Sequence, residues 1–153
     1  MLRHILVFLI LFFSANGVFA IQGTAKSKVK VVNSIQIHKL SDLIFSEAGA
    51  GSTAETIPAD VVETPKNASF EVSGEASRAI AVTLPADGTI KMTTGGSGPD
   101  NEIAVNGFMS NNPTTIDANG QLDLFVGATR EALTSTQALG DYEANFTVDV
   151  VYQ

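Results

Sequence analysis

The sequence predicts an all-β fold, an antiparallel sandwich of short strands, and three observations carry that prediction. Turn-forming Gly, Pro, Asn and Asp recur at roughly 8–12-residue spacing, as they do between the strands of a sandwich. No long segment repeats its apolar residues at the helical period. The stretch from Gly140 to Gln153 alternates instead. Tyr142, Ala144, Phe146, Val148, Val150 and Tyr152 fall on one side of an extended chain, and Glu143, Asn145, Thr147 and Asp149 on the other. Side chains alternate across a strand, so this stretch reads as a β-strand with one buried face. The β-branched Thr147, Val148, Val150 and Val151 disfavour a helix there.

The first twenty residues read as a signal peptide rather than as fold. Arg3 and His4 precede the apolar run Ile5 to Phe13, and Val18 and Ala20 stand where a signal peptidase reads small residues. The run is too short to span a bilayer, and no membrane span is expected after cleavage. Cleavage after Ala20 leaves about 133 residues, one domain with room for a real core. It removes one of the nine Lys and Arg and none of the sixteen Asp and Glu, so the remainder is more acidic than the formal −7 of the whole chain. Nucleic acid and anionic membrane surfaces both need a basic face and are not expected partners. With no cysteine, stability comes from packing and strand pairing, and no lipid anchor on cysteine is available.

Residues 21–31 alternate too. Ile21, Gly23, Ala25, Ser27, Val29 and Val31 are apolar or small, whereas Gln22, Thr24, Lys26, Lys28 and Lys30 are polar. The parity slips around Val32, Asn33 and Ser34 before Ile35, Ile37 and Leu40. One regular strand cannot absorb such a slip without a bulge, so residues 21–32 read as a separate N-terminal extension and 33–153 as the sandwich domain. Within the domain, Ser41 to Phe45 is a short apolar run ended by the small residues Ala48 to Ser52. Asp60 to Glu63 reads as a strand between Pro58 and Pro65, and Ser69 to Ser73 as another through Phe70 and Val72. Ala79 to Leu84 and Thr89 to Thr93 read as a hairpin about Asp87-Gly88. Gly95 to Pro99 reads as a loop. Ile103, Val105 and Phe108 mark a strand interrupted at Gly107, and Asn119-Gly120 turns into Leu122, Leu124 and Val126. Residues 128–139 read as a helical or irregular connection. Together these elements give an Ig-like sandwich.

Candidate catalytic chemistry is sparse, and an enzyme is not expected. After cleavage His38 is the only histidine, set in a strand pattern beside Lys39, and it reads as a surface residue. No His/Cys metal site can be assembled, and no cofactor is expected. Asp100, Asn101 and Glu102 lack the spacing of a calcium loop and read as a solvated loop. The glycines after Gly95 lack the lysine and spacing of a phosphate loop. Asn67-Ala68-Ser69 and Asn145-Phe146-Thr147 fit the three-residue glycosylation sequon.

Gly140 lies fourteenth from the end of the sequence and Tyr152 is its penultimate residue. This resembles the C-terminal signature of chaperone–usher pilins. The chain is also similar to a bacterial family of exported Ig-like domains of uncharacterised function, akin to the spore-coat protein U and archaic pilin type. The matching pieces are Asp42 to Phe45, Phe70 to Gly74, Thr83 to Pro85, Val126 to Thr129 and Gly140 to Tyr142. The chain departs from that pattern in having no disulfide, and in having Ser46 where glycine commonly follows the phenylalanine. The resemblance implies a sandwich lacking one strand, completed by a strand donated from the next subunit. It also implies a periplasmic chaperone and an outer-membrane usher as partners.

Residues 21–31 have the properties of such a donor, which must be extended and apolar on alternate residues. Ile21, Gly23, Ala25, Ser27, Val29 and Val31 would face a neighbour's groove, with Lys26, Lys28 and Lys30 outside. Gly140, Tyr142, Phe146, Val148, Val150 and Tyr152 would form the receiving wall and edge. The expected role is a structural subunit of a surface fimbria, exported through the periplasm, bound to copies of itself or related pilins, and serving adhesion. The other reading keeps residues 21–31 as the domain's own first strand, giving a self-complete, monomeric, secreted or surface binding module with its ligand on the loops from Gly95 to Asn112. The sequence leaves both completions open.

Overall fold

The computed structural model describes residues 24–153; the expected leader, Ile21 and Gly23 lie outside the described residues. The chain divides into two units, residues 1–31 and 32–153, and all the described strands belong to the second. In the first unit, residues 24–31 carry no regular secondary structure and are exposed, Val29 at 88% and Val31 at 87%.

The second unit is a β-sandwich of eight described strands, in agreement with the all-β expectation. They are β1 (Gln36–Ser41), β2 (Glu55–Ile57), β3 (Ala68–Ser73), β4 (Ile80–Thr83), β5 (Ile90–Thr93), β6 (Glu102–Ser110), β7 (Gln121–Arg130) and β8 (Asp149–Tyr152). One sheet runs β1-β3-β7-β6-β5, with β2 added to β7; the other holds only β4 and β8. All pairs are antiparallel.

Register explains the core. Ala68, Phe70 and Val72 stand opposite Val126, Leu124 and Leu122, so one face of β3 and β7 is continuously apolar. Ala68, Val72, Leu124 and Val126 are buried there, with Val82 and Val150 of the small sheet packed on them. Ile37 stands opposite Val72 and shares this face. It is nevertheless 40% exposed, because the two-stranded sheet does not reach over β1.

β3 and β2 share one edge of β7 end to end, β3 along Gln121 to Val126 and β2 along Ala128 to Arg130. Gly127 marks the change. A Cβ there would lie 2.1 Å from the Ile57 carbonyl oxygen and 2.6 Å from the Pro58 carbonyl carbon. Only glycine lets β2 close on β7 at that point.

Two sequence expectations are corrected. Asp60 to Glu63 forms no strand, and Val61 and Val62 are exposed. Asn67 folds this segment into a turn, accepting from the Thr64 amide at 2.8 Å and donating to the Val62 carbonyl at 3.0 Å. The strand belongs to Glu55–Ile57 instead, where the partner is β7. Nor are β4 and β5 a hairpin: β4 pairs with β8 and β5 with β6, so the chain crosses between sheets at Asp87-Gly88. The Asp87 carboxylate accepts the Gly107 amide and the Asn106 side chain accepts the Gly88 amide, both at 2.7 Å, which ties that turn to β6. The connection after β7 is irregular rather than helical. The expected interruption of β6 at Gly107 appears as a register shift between Asn106 and Met109.

Gly127→Ala is expected to lower unfolding stability by about 2–3 kcal/mol, because the obstructing atoms are backbone and cannot rotate away. Gly49→Ala, with nothing within 4 Å, stays within about 0.5 kcal/mol of wild type. Urea unfolding of both variants checks this.

Candidate functional site

Two flanks of the sandwich are closed by backbone hydrogen bonds. Thr93 and Glu143 exchange two, at 3.0 and 3.2 Å, joining β5 to the segment before β8. Ile80 donates to Thr114 and Ile116 to Arg78, both at 3.0 Å, tying β4 to the segment before β7. Between β1 and β8 no ladder forms among the described residues. A groove of about 990 Å³ opens near there, between residues 42–48 and residues 138–146.

The first wall is held from one side only. The Ile44 amide donates to the Lys66 carbonyl and the Ser46 amide to the Glu55 carboxylate, each at 2.8 Å. In an extended chain successive amides point to opposite sides. Among the described residues, the backbones of Leu43, Phe45 and Glu47 carry no such bond. Glu55 anchors this wall, accepting also from Ser46 Oγ and Lys66 Nζ, each at 2.8 Å. Burial alone would raise the Glu55 pKa. The hydrogen bonds from Lys66 and Ser46 and the lysine's charge outweigh it, lowering the value from 4.5 to about 2.

The second wall is the expected strand, present only in part. Residues 149–152 pair with β4, whereas Ala144 to Val148 make no backbone hydrogen bond among the described residues. The expected alternation of faces survives: Tyr142, Phe146, Val148, Val150 and Tyr152 are half-buried, while Glu143, Asn145, Thr147, Asp149 and Val151 are exposed. Phe146 packs on Phe108 with ring centroids 5.2 Å apart. The odd member is Ala144, which is exposed.

A tyrosine holds each end of this wall. The Tyr142 hydroxyl lies 2.9 Å from the carbonyl oxygens of Asp100 and Ala138 and accepts from Gln137 Nε2 at 2.9 Å. Gln137 is buried and donates also to Asp100 at 2.7 Å. A tyrosine bonded back to the backbone before the strand it opens is a recurrent corner device of sandwiches. The segment expected as a solvated acidic loop thus serves as main-chain anchor, through a short 3-10 turn at Pro99–Asn101. At the other end Tyr152 donates to the Asn33 carbonyl at 2.7 Å and accepts the Glu75 amide at 2.6 Å. Its ring lies against Gly74, where a Cβ would be 2.4 Å from the hydroxyl, with the Arg78 guanidinium 5.8 Å from the ring centroid.

Gly140, Tyr142 and Phe146 line the groove; Val148 and Val150 face the core beside it. Ala25, Ser27, Val29 and Val31 lie in the exposed first unit. Sequence reasoning missed Gln137, Glu55 and Arg130. Arg130 is 5% exposed, lines the groove, and continues the inward parity of Leu122, Leu124, Val126 and Ala128. That parity, carried two residues further, would have found it. The rim is acidic, with Asp42, Glu47, Asp141 and Glu143; its Lys39 pairs with Asp42 at 2.6 Å.

His38 is exposed on β1, and among the described residues no three His, Cys, Asp or Glu side chains gather as a metal site. Asn67 of the first sequon is fully buried and hydrogen-bonded in its turn. No described helix is long and apolar enough to cross a membrane.

The sheet arrangement and open groove define a sandwich domain with one unpaired flank. Residues 38–152 match a family described as a domain of unknown function (DUF4402), and the chain belongs to that family. No curated protein and no solved structure matches.

Two outcomes follow from these anchors. Because Glu55 has a lowered pKa, its contribution is complete above the ordinary value of 4.5 and is lost as pH falls toward about 2. Acid titration of unfolding stability should therefore fall more steeply through that window for wild type than for Glu55→Gln. Tyr142→Phe leaves the Ala138 carbonyl without its hydroxyl donor and Gln137 with one acceptor fewer, and is expected to cost about 1–3 kcal/mol in urea unfolding.

Proposed function

We propose that this domain is a structural subunit of a surface fimbria that polymerises by donor-strand exchange, its groove receiving residues 21–31 of a neighbouring copy or related subunit. The observation that carries this reading is the backbone of Ala144 to Val148, unpaired among the described residues and, from Ala144 to Phe146, lining the groove. A strand inserted there would satisfy edge groups and cover apolar surface together, the physics of β-augmentation. Each new backbone hydrogen bond is worth a net ~0.5–1.5 kcal/mol, so a strand's length of them makes a lasting joint.

Residues 21–31 suit the role by pattern, with small or apolar residues alternating with polar ones. Lys26 and Lys28 fall on the outward parity, where the neighbour's acidic rim at Asp42, Glu47, Asp141 and Glu143 would meet them. Residues 24–29 are exposed and carry no strand, as a segment to be donated would be. The reading requires export, a periplasmic chaperone that shields the groove, and an outer-membrane usher. It assigns no catalytic role.

The test is the mature protein, residues 21–153, run unheated and boiled on a denaturing gel. A ladder that collapses on boiling is expected. It should be absent for a chain lacking residues 21–32, whose domain is rescued by a synthetic peptide of residues 21–31. A monomer band for the mature chain, with an unfolded truncation, would instead assign residues 21–31 to their own sandwich.

A further inference from the structure

The groove is lined by a buried cation that makes no ion pair among the described residues. Arg130 stands on the core face of β7, opposite Val105, and is 5% exposed. Its Nη1 donates to the Glu131 carbonyl at 2.9 Å and its Nη2 to the Thr53 carbonyl at 3.0 Å. The buried Nε has no hydrogen-bond partner, and no ion pair reaches the guanidinium among the described residues. Glu55 faces Arg130 directly across the β2–β7 ladder, but its carboxylate is engaged by Lys66 and Ser46. A guanidinium offers five N–H donors, so capacity remains after two carbonyls. A buried charge whose partners are only neutral dipoles stays under-compensated. The group that completes it is a carboxylate, which a guanidinium binds in a planar, two-pronged contact.

We infer that Arg130 makes the groove prefer a strand that carries an acidic side chain on its inward face. This rests on the reading of the groove as a strand acceptor. Residues 21–31 contain neither Asp nor Glu, so a copy of this chain cannot supply that group from its extension. The preferred occupant is therefore an extended segment of a different polypeptide, apolar on alternate residues with one of them replaced by an acid, and self-association is the weaker mode.

The experiment uses the full mature chain. Glu is placed singly at the inward positions Gly23, Ala25, Ser27 and Val29, in the wild-type background and with Arg130→Met or Arg130→Lys. Ladder dissociation is timed in denaturant, and monomer unfolding is followed separately to confirm that each background folds. At the position that comes to lie over Arg130, Glu should slow dissociation by roughly tenfold or more, the worth of a charge-assisted hydrogen bond. The gain should vanish with Arg130→Met and survive in part with Arg130→Lys. Glu that speeds dissociation at all four positions, equally in every background, overturns the inference while leaving strand exchange standing. The absence of a ladder in every chain overturns strand exchange itself, and the inference with it.

Discussion

A sandwich needs both faces of its core covered and both edges of its strands accounted for, and here neither need is fully met among the described residues. A large sheet faces one of two strands, β4 and β8. Two strands span too little width to shield β1, so Ile37 stands on the core face and still meets solvent. The same shortage leaves Ala144 to Val148 beside an open groove with no ladder partner among the described residues. An unpaired edge next to exposed apolar surface is the combination from which proteins aggregate unless something is built to fill it.

The rest of the domain holds that gap in shape. Each end of the second wall is fixed by a tyrosine hydroxyl that captures main-chain groups, Tyr142 those of Asp100 and Ala138, and Tyr152 those of Asn33 and Glu75. Between them Phe146 rests on Phe108. The first wall hangs on Ile44 and Ser46, secured by Lys66 and Glu55. None of these contacts occupies the groove. They place the cost of order on side chains at its margins, which leaves the backbone of the walls presentable to an incoming strand. Preorganisation of that kind reduces the ordering that an occupant must bring about on binding.

The inward and outward faces of the strands were legible from sequence because a two-residue period survives wherever one face is buried. Val72, Leu124 and Val126 on one sheet, and Val148 and Val150 at the other, follow their parity. Even where Ala144 to Val148 lack a ladder, the faces kept their order. What sequence could not show is which strand pairs with which. Asp87-Gly88 is a true turn, yet its side-chain ties to β6 carry the chain to the other sheet instead of back along β4. Asp60 to Glu63 has strand composition but no neighbouring edge, whereas Glu55–Ile57, unremarkable by composition, gains one where Gly127 lets it approach β7. Arg130 was overlooked because charge conventionally marks the outside, and its register says otherwise.

The charges around the groove make two separate demands on anything that enters it. The rim carries Asp42, Glu47, Asp141 and Glu143 in largely exposed positions, where interactions are screened and serve approach and orientation more than affinity. The floor carries Arg130 away from solvent, where a missing counter-charge is felt far more strongly. A strand with basic residues outward meets the first demand, and residues 21–31 have that pattern. Only an acid on the inward parity meets the second, and those residues have none. In the proposed scheme the outer charges would therefore admit a copy and a foreign strand alike, and the buried one would decide between them.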